Sequence, residues 1–204
     1  MRLCIDKALW QLDWNQFDTI YQEHYCYFSL LSLQKVFAAH GMTIFDLEQI
    51  STHGGSLRIY VRHTEDDSKP VTDAVNEIHD GEVAAGYTDL ETYSAFAEQV
   101  AETKRKLVEF LIQANREGKS VAGYGAPGKE NTLLNYCGRQ DFIDYTVDRN
   151  PYKHGTFLAG THIPVFAPEK LAETKTDYVL ILPWNLKTNF RNSWSTSANG
   201  VASW

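Results

Sequence analysis

The chain has 204 residues and a formal net charge of −7, which suits one large domain or two small ones. Hydrophobic residues make up 43%, enough for a proper core, and the acidic balance without any Lys/Arg run argues against a nucleic-acid surface. Cys4, Cys26 and Cys137 are scattered, "MRLCIDKALWQLDW" has no apolar signal-peptide core, and no run reaches the roughly 18 apolar residues of a membrane span, so a reducing cytoplasmic setting away from the membrane is expected.

"FDTIY" (17–21) reads as a short strand. Ser29 can cap a helix through "LLSLQKVFAAH", with Leu30, Leu33 and Phe37 on one face and Gly41 at its end. "MTIFDLEQI" reads as a strand. "SLRIYVR" alternates, with Leu57, Ile59 and Val61 facing one way and Arg58, Tyr60 and Arg62 the other. The charged stretch "HTEDDSKPVTDAVNEIHDGE" is poor in large apolar residues and reads as a linker or surface excursion. Thr88 and Glu91 form a capping box ahead of a long helix to about Gly118, striped by Phe96, Val100, Leu107, Leu111 and Ala114. From Lys119 the pattern alternates: strand "SVAGY", loop "GAPGK", helix from "NTLLNYC", strand "FIDYTV", strand "THIPV", short helix "APEKLAETK", strand "DYVLILP". That predicts a small parallel sheet with crossovers. The tail "NFRNSWSTSANGVASW" lacks periodicity and reads as disordered.

The loop "VAGYGAPGKE" satisfies two patterns. Gly123, Gly125 and Gly128 spell G-x-G-x-x-G, while Gly123 to Lys129 spell G-x-x-x-x-G-K. It lies after a strand and before a helix, where close backbone approach and free N–H groups suit an anion. Asp148 follows Gly128 by twenty residues at the end of the next strand, where a dinucleotide fold puts its ribose-binding acid. Pro127 removes one donor, and Glu130 stands where a phosphate loop needs a hydroxyl. An NTPase loop is thereby disfavoured; an NAD site and a plain strand-to-helix turn both stay open.

"YQEHYCYF" gathers Tyr21, Glu23, His24 and Cys26. His24 titrates near neutrality and suits proton abstraction. No H-E-x-x-H accompanies it, so a metal site is not expected. The plainer reading is an aromatic core segment with a hydrogen-bonded histidine, and His53 in "STHGGS" carries the same reading.

Taken in order, "FDTIYQEHYCYFSL", "HGMTIFDLEQISTHGGSLRIYV", "VAGYGAPGKENTLLNY", "YTVDRNPYKHGTFLAGTHIPV" and "DYVLILPWNLK" resemble the C-terminal half of the S-adenosylmethionine-dependent sugar C-methyltransferases, over about 14–189. The resemblance implies an α/β fold in which the end of a methyltransferase-like mixed sheet precedes a Rossmann-like parallel sheet domain. It divides the chain into the last strands and helix of a catalytic domain (1–64), a linker and long helix (65–118), the Rossmann-like domain (119–189) and a tail (190–204). The similarity is expected to stop near Lys187. The resemblance also implies methyl transfer to a carbon of a nucleotide-linked keto-sugar in deoxysugar biosynthesis. Its Tyr-x-Glu-His motif falls on Tyr21, Glu23 and His24 as catalytic residues, with Gln22 in place of the usual His. Gly125, Ala126, Gly128, Lys129, Asp148 and Asn150 would face the sugar nucleotide, Lys129 turned inward and Glu130 to solvent. Family members carry a zinc-binding region and a donor domain ahead of this part, so the S-adenosylmethionine site is expected outside this chain and the chain inactive alone. A stand-alone nucleotide or nucleotide-sugar binding module and an NAD-dependent oxidoreductase are the alternatives.

Overall fold

The computed structural model describes residues 2–6, 15–22, 25–50, 55–138, 141–183 and 201–202, with backbone only for 2–6 and 201–202. The chain forms two compact units. The first comprises Met1–Phe17 and Gln22–Val100, the second Asp18–Tyr21 and Ala101–Trp204.

In the first unit, β1 (Arg2–Asp6), β2 (Met42–Ile50) and β3 (Ser56–His63) form an antiparallel sheet in the order β1-β3-β2. The alternation in β3 is as expected, with Leu57, Ile59 and Val61 at most 3% exposed. On the opposite face Glu48 accepts from Arg58 at 2.7 Å and from the Tyr60 hydroxyl at 2.7 Å, a cross-strand cluster. Helix α1 (Leu30–Ala39) buries Leu30, Leu33 and Phe37, and Ser29 accepts from Ser32 N at its start. Gly41, at φ 66°, ends it.

The charged stretch after β3 is not a linker throughout. Asp73–Ala84 forms helix α2, with Val75 1% and Glu82 0% exposed. The Glu82 carboxylate accepts from Leu30 N at 2.8 Å and Leu31 N at 2.9 Å, clasping the first turn of α1. A buried carboxylate at a helix N-terminus meets two amides that would otherwise lack partners, and the positive end of the helix dipole as well. Polarity hid this helix because its most buried side chain is an acid.

"FDTIY" is not a strand either. Phe17–Thr19 is a 3-10 turn, and Tyr21 N donates to Thr19 O at 3.1 Å. Phe17, Asp18 and Thr19 are buried in succession within this turn.

Helix α3 (Leu90–Arg116) contains the boundary between the units. It opens at Leu90, so Asp89 rather than Thr88 precedes its first turn. Val100, Leu107, Leu111 and Ala114 are buried as the stripe predicts.

The second unit is a parallel sheet of β4 (Val121–Tyr124), β5 (Tyr145–Val147), β6 (Val165–Phe166), β7 (Tyr178–Ile181) and β8 (Val201–Ala202), in the order β6-β5-β4-β7-β8. Two residues of the tail read as disordered therefore pair with β7. Helix α4 (Gly128–Cys137) and α3 supply one apolar layer, where Leu107, Leu111 and Leu134 meet Val121 and Leu180. The other face of the sheet presents Ala122, Tyr124 and Val147 to Leu171 of α5 (Glu169–Thr174). Coverage on both faces explains why the strands read as apolar runs rather than alternating ones. Asp177 ties the start of β7 to that of β4, accepting from Ser120 N at 3.0 Å and Lys119 Nζ at 2.9 Å. The bond from Ser120 N, then those from Lys119 and Ser120 Oγ, hold its carboxyl down at about 2.

Candidate functional site

The chain runs β4 to β5 to β6 in one direction from the sheet centre, then returns to β7 on the other side. The switch point of the sheet lies between β4 and β7, where open α/β sheets place ligands beyond the strand ends. At that point stand Gly125, just after β4, and Pro183, two residues after β7. They are in close contact. Gly125 has φ +97°, and a Cβ on it would lie 2.5 Å from Pro183 Cδ. Gly125 N also donates to Val147 O at 2.7 Å, and Gly125 O accepts from Thr146 Oγ1 at 2.7 Å. The second glycine of the pattern therefore serves close packing of the protein on itself.

The third glycine does the same on the other side of the loop. Gly128 opens α4, and a Cβ there would lie 3.0 Å from Cε2 of Tyr21. The Tyr21 ring thus packs against the first residue of the helix. One residue earlier, Ile20 O accepts from Thr132 Oγ1 at 3.2 Å, so the short segment 18–21 is docked along the start of α4. This contact joins the two constellations that the sequence singled out separately. Glu23 and His24, like His53, lie outside the described residues.

Asp148 holds the loop. It accepts from Ala126 N at 2.8 Å, from Asn150 N at 2.8 Å and from Lys153 Nζ at 3.1 Å. Burial pushes its carboxyl up, but the bonds from Asn150, Lys153 and Ala126 outweigh that and hold it below the ordinary aspartate value. Lys153 Nζ closes the ring by donating to Ala126 O at 2.8 Å. Asn150 accepts from Tyr152 N at 3.1 Å and caps the 3-10 turn Pro151–Lys153. Lys153 was missed in the sequence; the signal was Asn150–Pro151, a turn start that brings the next residues back towards the preceding loop.

Lys129 is 7% exposed. Glu130 is not turned to solvent: it is 1% exposed, and neither of its oxygens has a hydrogen-bond partner in another of the described residues. Helix α4 begins beneath segment 18–21, so its first turn has no outer face at position 130. Pro127, at the N-cap, offers no side-chain acceptor to the first turn.

This loop does not fit an adenosyl group, whether of S-adenosylmethionine or NAD. Its second and third glycines are packed against Pro183 and Tyr21. The acid that would meet a ribose is committed to Ala126, Asn150 and Lys153. Among the described residues no group of three or more His, Cys, Asp or Glu side chains could hold a metal ion, and no helix is long and apolar enough to cross a membrane.

The profile of the C-methyltransferase C-terminal domain matches residues 51–202, and so runs past Lys187, where the resemblance was expected to stop. The chain is 38% identical to C-methyltransferase NovU of Streptomyces niveus over 172 residues, which is 84% of this chain and 41% of that protein. It thus spans less than half the length of this relative. Among solved structures, UDP-D-quinovosamine 4-dehydrogenase of Vibrio fischeri aligns with 18% identity and a TM-score of 0.30, covering 42% of this chain and 78% of the other, a likeness too slight to bear on fold or chemistry.

Proposed function

Because this chain belongs to the C-methyltransferase C-terminal domain family, we propose that it is the acceptor-binding part of an enzyme that methylates a carbon of a nucleotide-linked keto-sugar. The supporting observation is the Tyr21 ring packed on Gly128. It brings the first residue of the Tyr-x-Glu-His motif onto the loop and helix start that would face the sugar nucleotide.

A ketone acidifies the neighbouring C–H bond. In this reading His24 takes that proton, and the electron pair moves onto the carbonyl oxygen as an enolate. Tyr21 and Glu23 orient the sugar or stabilise the enolate. Lys129 and the positive end of the α4 dipole favour the diphosphate. Ala126, Asp148 and Asn150 rim the same loop, with the Asp148 carboxylate acting by fixing Ala126 rather than by touching ribose. The methyl group comes from S-adenosylmethionine, held by residues other than those described here.

The test is calorimetric titration of this chain with a nucleoside diphosphate hexose, with NAD and S-adenosylmethionine as comparisons. Saturable binding of the sugar nucleotide is expected, weakened by about 1–3 kcal/mol in Lys129→Ala, the range for a charged hydrogen bond. Circular dichroism checks that the variant is folded. Binding of NAD with no response to the sugar nucleotide would replace this reading with an oxidoreductase.

A further inference from the structure

Glu130 is a side chain the proposed chemistry does not use, and its surroundings are unusual. It lies in the first turn of α4, 1% exposed, and among the described residues no other residue hydrogen-bonds either carboxyl oxygen. Segment 18–21 covers that turn. Tyr21 packs on Gly128, Ile20 O accepts from Thr132 Oγ1, and Asp18 is 4% exposed and raises the Glu130 pKa through its charge.

We propose that Glu130 is a positioning residue for Tyr21: as a neutral carboxyl it lets segment 18–21 seat on α4, and its ionisation releases that segment. The reason is the cost of charge without a partner. A buried carboxylate met by no donor beyond its own backbone amide is strongly disfavoured. The carboxylate could lower that cost by gaining water, which requires the covering segment to lift. Asp18, on that same segment, would be pushed away by a second negative charge.

Among the described residues, the charged groups facing Glu130 are Asp18 from the 3-10 turn, Lys153 from the turn after β5, and Lys129 on α4 itself. Lys153 is already committed to Asp148 and Ala126 O. Burial raises the Glu130 carboxyl to about 8; its own backbone amide, Lys153 and Lys129 oppose the shift, and Asp18 adds to it. The consequence for function rests on Tyr21 being catalytic, as proposed above; the seating itself does not.

The experiment follows the Tyr21 ring in this chain by NMR, with carbon-13 in the tyrosine rings and the Tyr21 signal assigned by its loss in Tyr21→Phe. In the wild type the signal should leave its packed position as pH rises from 6 to 9.5, with a midpoint near 8. In Glu130→Gln and in Glu130→Met it should stay packed throughout. A wild-type signal that does not move, or one that moves alike in either variant, overturns the proposal. So does failure of both variants to fold, since a neutral side chain of similar size should suffice. No substrate or donor is present, so the result stands apart from the sugar-nucleotide titration.

Discussion

At the scale of single residues, the glycine loop is shaped by what the protein packs against it. Gly125 combines φ +97° with a Pro183 ring atom 2.5 Å from where a Cβ would sit. Gly125→Ala should therefore destabilise the chain by about 2 kcal/mol or more in urea denaturation, through backbone strain and a clash with a stiff ring. An unchanged midpoint would mean that the loop shifts freely. Asp148 gives a pH-dependent case. Its folded pKa lies below the ordinary 3.8, so the stability it contributes is present above that value and is lost as pH falls through the folded pKa. Asp148→Asn should cost about 1–3 kcal/mol at neutral pH, where the ion pair with Lys153 is removed. The difference between the two proteins should vanish as acid protonates the wild-type carboxylate. A difference constant across pH would assign the effect to shape rather than charge.

At the scale of elements, the first unit depends on an acid that its own sequence disguises. Glu82 satisfies two amides of α1 while 0% exposed. Glu82→Ala should destabilise the chain by about 3 kcal/mol, because two donors are then left buried without an acceptor. Glu82→Gln keeps one oxygen and should cost less. Equal losses in both variants, measured by thermal unfolding, would point to the charge and not to the geometry of the clasp. The second unit has a similar clasp at the other end of its strands, where Asp177 joins Ser120 and Lys119. That pair was hidden for a simpler reason: 57 residues separate its members, and only the parallel pairing of β4 with β7 brings them together.

At the scale of the molecule, the alternating second half was the most legible part. "SVAGY", "FIDYTV" and "DYVLILP" are short apolar runs between turn-forming residues, and each contains a strand of the doubly covered sheet. The amphipathic α1 and the alternating β3 were equally plain. Legibility failed where burial did not follow polarity. Phe17–Thr19 has the composition of a strand but curls into a 3-10 turn. The stretch around Asp73–Ala84 has the composition of a linker but places a carboxylate in the core. Glu130 was read outward because a local argument about α4 cannot see segment 18–21, more than a hundred residues earlier, folding over it. The motif spacing found the loop and Tyr21; it could not find that Tyr21 rests on Gly128, or that Lys153 braces Asp148. The Glu23 and His24 positions fall outside the described residues, so their roles rest on the resemblance carried by Tyr21 and its neighbours.

The Glu82 clasp also orders events in time. β2 and β3 are close neighbours in sequence, so that hairpin can form as soon as His63 has emerged. The first amides of α1 wait for a carboxylate 52 residues further along the chain. Closing that longer loop costs more chain entropy than closing the hairpin, which places the clasp late on the route to the folded state. Contacts that form late leave the refolding rate nearly untouched and act on escape from the native basin. Stopped-flow mixing should therefore show Glu82→Ala refolding at close to the wild-type rate and unfolding many times faster. A variant slowed in refolding instead would make the clasp part of the nucleus, formed before the sheet it serves.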